Sequence, residues 1–158
     1  MKKKSILLVS LLMIGLISFG QTQKEEIELF QSIFGMEKKA IVSDIVKLEG
    51  EKAKGFWTIY DEYETARKEH GQKRMVSLQN YIMNYENMDD KRSEETVDDM
   101  IKLGNEYNKL IQKYYKQINK AFGAKTAGQF YQLETYFQSV IRLTIMEQVP
   151  FIGELDLN

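Results

Sequence analysis

The chain has 158 residues, with 22 Lys and Arg against 23 Asp and Glu, one Pro, one His, one Trp and no Cys. Without Cys there is no disulfide scaffold, thiol nucleophile or Cys-ligated metal, and a single His excludes a multi-His site. A formal charge of −1 is too near zero for a general nucleic-acid binder, and one Pro argues against a loop-rich all-β domain.

Lys2, Lys3 and Lys4 form a basic start, Ile6 to Phe19 is apolar and uncharged, and Ser18 and Gly20 are small residues ahead of Gln21. This is the three-part pattern of a secretory signal peptide. The apolar run is shorter than the roughly 20 residues that span a bilayer, so cleavage after Gly20 is expected over an uncleaved anchor. No Cys follows it, which excludes a lipoprotein signal. The expected organisation is a signal peptide over 1–20 and one domain over 21–158, periplasmic or secreted. That domain has no oxidative help and must be held by packing alone.

In the mature chain, Ile27, Phe30, Ile33 and Phe34, then Ile41, Ile45 and Val46, fall at helical spacing. They predict a helix from Glu25 to Val46 with a weak point at Gly35. A second helix is predicted from Glu51 to about Glu86, carrying Phe56, Tyr60, Tyr63, Leu78, Tyr81 and Tyr85. Between these lies Glu64 to Arg74, almost wholly polar and containing Gly71, where the helix is expected to cross solvent or bend. At about 1.5 Å per residue the run is roughly 50 Å long, which predicts an elongated molecule. Asn87 to Arg92 reads as a turn and Ser93 as an N-cap. Acids follow in the early turns of the third helix and Lys109, Lys113, Lys116 and Lys120 toward its end, complementing the helix dipole. Its apolar set runs from Val97 through Leu103, Ile111, Tyr114 and Ile118 to Phe122. Gly123 is a candidate C′ residue, and a fourth helix is predicted from Lys125 to Gln148, closed by Pro150. The tail after Pro150 is expected to be irregular or to pack as a strap. The fold class predicted is all-α with about four helices.

Leu48–Glu64 aligns with Phe122–Gln138. Ala53 matches Ala127, Phe56 matches Phe130, Trp57 matches Tyr131, Ile59 matches Leu133, and Tyr63 matches Phe137. An apolar residue, a polar turn and a helix with aromatics at fixed positions thus occur twice. Leu48 or Phe122 is expected to pack back on the new helix while the aromatics, with Tyr60, anchor it to the core.

In this layout the chain resembles the Spy and CpxP group of periplasmic helical proteins, which carry two LTxxQ motifs, each opening a helix. The corresponding segments here are Leu48-Glu49-Gly50-Glu51-Lys52 and Phe122-Gly123-Ala124-Lys125-Thr126, keeping only the leading apolar residue. Phe56-Trp57-Thr58-Ile59-Tyr60-Asp61-Glu62-Tyr63 is similar to the FWPIYxEY-like segment of small exported proteins of Bacteroidetes-type bacteria, with Thr58 where Pro is usual. The resemblance implies an elongated, bent helical hairpin, often dimeric, with a concave face. It further implies an ATP-independent periplasmic chaperone or envelope-stress-responsive binding protein whose partners are unfolded or partly folded proteins. The alternative is a signalling adaptor that binds an envelope sensor or anti-sigma factor.

Single residues add little chemistry at this level. His70 lacks a second His or Cys and reads as an exposed bystander. The acids Asp61, Glu62 and Glu64, and Asp89 to Asp99, read as solvated faces rather than a tuned pair. Arg67, Lys68, Lys73 and Arg74 form one basic strip, and Lys109, Lys113 and Lys116 with Lys120 another. If both line one concavity they become the partner-binding candidates. No catalytic, cofactor or metal residue is expected, nor an enzyme.

Overall fold

The computed structural model describes residues 21–154, with side chains described from Phe34 onward. The expected signal segment, residues 1–20, and the last four residues lie outside the described residues. The described chain is all-α, with α1 Gln21–Val46, α2 Gly50–Asn84, a 3-10 turn Tyr85–Asn87, α3 Asp90–Phe122 and α4 Ala124–Met146. None of these helices is long and apolar enough to cross a membrane.

The helices follow a shared register. On α2 the inward positions step by four and three residues through Phe56, Tyr60, Tyr63, Arg67, His70 and Tyr81, all buried. On α3 the same spacing runs through Leu103, Tyr107, Ile111, Tyr114 and Ile118. That register lays α2 and α3 together as a long antiparallel hairpin. α4 returns along α3, and α1 covers α4 and α2. The core gathers Phe34, Val42 and Val46 of α1 with the aromatics of α2 and α4. Its rings meet edge-on, Tyr63 against Phe130 at 5.0 Å and against Tyr114 at 5.4 Å, the arrangement favoured by ring quadrupoles.

The two repeated segments open α2 and α4 and face each other across the core. Tyr60 packs on Phe130 at 6.3 Å, and Phe34 on Phe137 at 6.2 Å. Phe122 packs on Phe56 at 6.0 Å and lies over Gly55, where a Cβ would come within 3.2 Å of its ring. Trp57 stacks edge-on against Phe56 at 5.2 Å, Leu48 is partly buried against the core, and Tyr131 is half-exposed beside Tyr115. Gly123 turns α3 into α4 with φ 86° and ψ 167°, a region open essentially to glycine alone.

Three local expectations need correction. α1 runs unbroken through Gly35, where an added Cβ would make ordinary contact with Glu64 of α2 at 3.5 Å. The N-cap of α3 is Asp89 rather than Ser93: Asp89 is extended, and its side chain accepts a 2.8 Å hydrogen bond from the Arg92 backbone N–H. The polar stretch from Glu64 to Arg74 neither breaks α2 nor faces solvent along its whole length. Its inward register positions stay inward and take charged groups into the interior.

Candidate functional site

The helix register delivers four charged side chains to one buried point. Lys38 stands one helical turn from Phe34 and one from Val42, and is 1 % exposed. Its Nζ donates to Oε1 of Glu64 at 2.7 Å and to Oε2 of Glu134 at 2.8 Å. The rings of Phe137 and Tyr63 flank the ammonium, with centroids at 5.2 and 5.4 Å. Glu134, 0 % exposed, also accepts from Tyr63 Oη at 2.6 Å and Tyr60 Oη at 3.3 Å. Tyr63 spends its proton on Glu134, so the 3.3 Å contact with Tyr107 Oη is donated by Tyr107. Arg67 closes the set with Nε and Nη2 on Glu64 at 2.8 and 2.9 Å, a bidentate fork.

Two acids face two bases, so the knot is neutral as a whole. Burial acts to raise the pKa of Glu64, but Lys38 and Arg67 outweigh it and leave it below its ordinary value. Burial, reinforced by Glu134, raises the Tyr60 and Tyr63 hydroxyls well above theirs. Tyr107 is pushed up to about 12, mainly by burial.

Arg67 is shared between this knot and a cleft of about 590 Å³. The cleft lies between the second half of α2, the first half of α3 and the end of α4, with the segment Val149–Ile152 along its rim. Two hydrogen bonds tie that strap down, from Tyr81 Oη to the Pro150 carbonyl at 2.6 Å and from Tyr85 Oη to the Phe151 carbonyl at 2.7 Å. Most of the wall is aliphatic, thioether or aromatic. Among the described residues the charged lining groups are Arg67, Arg74 and Arg142, joined by His70, and no Asp or Glu lines the cleft. Burial lowers the Arg74 pKa, and the like charge of Arg142 adds to the effect. The backbone at Gly104 borders the same space, and a Cβ built there meets nothing within 4 Å.

His70 is 7 % exposed, which overturns the reading of it as an exposed bystander. Its Nε2 lies 2.9 Å from the Leu103 carbonyl, so Nε2 carries the proton and donates. Burial lowers its pKa, keeping the ring neutral. Nδ1 is left as an acceptor with no hydrogen-bond partner among the described residues.

Of the first basic strip, Arg67 and Arg74 reach the cleft while Lys68 and Lys73 do not line it. Lys73 is exposed, 3.8 Å from Glu106. Lys109, Lys113 and Lys116 are exposed along α3 and also stay outside the cleft. The two strips therefore do not share that concavity. Asp61 and Glu62 are exposed, whereas Glu64 is buried, a correction to the solvated-face reading. Lys38, Glu134 and Arg142 were not singled out by sequence reasoning. Lys38 had a signal in its position between Phe34 and Val42, and Glu134 had one in standing where the repeat places Tyr60. Among the described residues no cluster of His, Asp and Glu is placed to hold a metal ion. Comparison with family models, with curated proteins and with solved structures finds no match to this chain.

Proposed function

We propose that the chain is an exported holding protein, an ATP-independent chaperone of Spy/CpxP type whose cleft receives an apolar segment of a partly folded client. The observation that carries this reading is the cleft, which offers apolar surface and fixed positive charge at one place. Thioethers supplied by Met75, Met100 and Met146 on three different helices give an adaptable wall, suited to clients of unrelated sequence. Further exposed apolar residues stand on the same three helices, with Ile82 and Met83 at the end of α2, Val97 and Ile101 near the start of α3, and Leu143 on α4, and exposed apolar surface of this kind favours an interaction role.

The test is light scattering of two unrelated unfolding proteins with and without the purified protein. Both are expected to be kept in solution at near-equimolar ratio. Gly104→Phe fills the cleft and is expected to remove the effect. Gly104→Ala gains the helix propensity lost by glycine, about 1 kcal/mol, but leaves the cleft open and retains activity. No protection of either client by the unaltered protein rejects holding and favours the adaptor for an envelope sensor, to be sought by pull-down from envelope extract.

A further inference from the structure

We propose that the cleft binds a single-chain anionic amphiphile of the fatty-acid type, with its carboxylate at Arg74 and Arg142 beside His70 and its alkyl chain between Leu78 and Ile145. This deepens the reading above and rests on its premise that the cleft is the binding site.

The first argument is uncompensated charge. Arg67 has committed Nε and Nη2 to Glu64. Among the described residues, Arg74 and Arg142 have no ion pair, and the lining supplies no carboxylate. Arg74 is half-buried beside the exposed Arg142, and a guanidinium partly withdrawn from water next to a like charge is unfavourable until an anion joins it. A planar carboxylate matches the guanidinium fork.

The second argument is the orphaned imidazole nitrogen. A buried polar atom without a partner is rare in folded proteins, and Nδ1 of His70 is such an atom in the wall of this cleft. It sits three residues from Arg67 and four from Arg74, on the same face of α2. A carboxylate head beside these arginines is itself an acceptor, so it pairs with Nδ1 only when a proton is taken up with it, on the ring or on the head.

The third argument is the shape of the remainder. Away from the charged stripe, Leu78, Ile141 and Ile145 present aliphatic surface, and Tyr81 holds the strap over one side. About 590 Å³ lies within the roughly 300–1,000 Å³ usual for small-ligand sites. It suits one alkyl chain, whereas a folded domain would need a far larger surface.

The experiment is calorimetric titration of the purified protein with laurate below its micellar concentration. Dodecyltrimethylammonium and dodecyl phosphate serve as chains of equal length with other heads. Saturable laurate binding is expected, with dodecyltrimethylammonium weaker by about tenfold or more, the value of one charge-assisted contact. Arg142→Gln, at an exposed position that does not hold the fold, and Arg74→Gln are each expected to weaken laurate by about the same factor, and Gly104→Phe to abolish binding. Equal affinity for the anionic and cationic chains, or laurate binding that survives Gly104→Phe, overturns the proposal. So does dodecyl phosphate binding more than about tenfold tighter than laurate, which reassigns the head to phosphate. Failure of every alkyl ligand, with client protection still sensitive to Gly104→Phe, overturns this proposal and leaves the holding function standing. Loss of both removes the cleft from each.

Discussion

Lys38 illustrates how a residue hostile to a core becomes part of it. An ammonium removed from water is tolerated only when its lost hydration is replaced, and here two carboxyl groups and a ring of aromatics replace it. Lys38→Met removes one positive charge and leaves Glu134 buried against tyrosine hydroxyls alone. It is expected to cost about 3–5 kcal/mol. Lys38→Met/Glu134→Gln keeps the Glu64–Arg67 pair and restores neutrality, so it is expected to recover most of that loss. Urea denaturation of the two variants and the unaltered protein checks this; equal destabilisation of single and double variants refutes the charge-balance account. The knot is concealed in the sequence because register, not residue type, marks it. Glu64, Arg67 and His70 look like a solvated stretch when read by composition. Counted from Phe56 in steps of four and three, Arg67 and His70 are inward, and Glu64 borders that line. Which acid meets which base across helices is a tertiary fact that no local pattern encodes.

Helix boundaries show the same division between what chain-local chemistry specifies and what it leaves open. Gly123 was legible as a helix end because its backbone demand is local. Its second role, opening α4 with no loop at all, depends on how closely α4 returns onto α3. The sequence reading places the N-cap at Ser93, ahead of Glu94 and Glu95, and leaves Asp89 in the preceding turn. The structure chooses Asp89, whose extended backbone aims Oδ1 at the Arg92 N–H, and places Ser93 inside the first turns, where its amide already donates to the Asp89 carbonyl. Asp89→Ala is therefore expected to cost about 1 kcal/mol, while Ser93→Ala stays within about 0.5 kcal/mol. Thermal unfolding of both variants distinguishes them, and a larger loss from Ser93→Ala would contradict the observed cap. The four helices and the core aromatics were readable from spacing. The cleft was not, because it is bounded by three helices and a strap that meet only in the folded chain.

At the scale of the whole molecule, the buried titratable groups set limits on the pH range of stability. His70 is held neutral by burial, so its folded pKa is below the ordinary 6.5. The unfolded chain takes up that proton first, and stability is lost as pH falls from about 6.5 toward the folded value. Glu64 is held below its ordinary 4.5 by Lys38 and Arg67. Its contribution is complete above that value and is lost as pH falls through the folded one, giving a second, more acidic step. On the alkaline side Tyr60, Tyr63 and Tyr107 all stay protonated beyond the ordinary 10.0. The unfolded tyrosines release their protons first, so stability falls as pH rises past about 10. A stability plateau is expected from about pH 6.5 to 10, with losses on both sides. The urea midpoint measured against pH checks this. In His70→Gln the loss beginning near pH 6.5 should disappear while the more acidic step persists, because Glu64 is untouched. Arg67 touches the knot through Glu64 and the cleft through its remaining edge. Acid that releases Glu64 therefore loosens the wall of the binding site as well as the core, and affinity for dodecyl phosphate, whose head stays anionic where laurate is protonated, should fall in the same acidic step as stability. Affinity that holds constant through that step would show that the knot and the cleft are energetically separate.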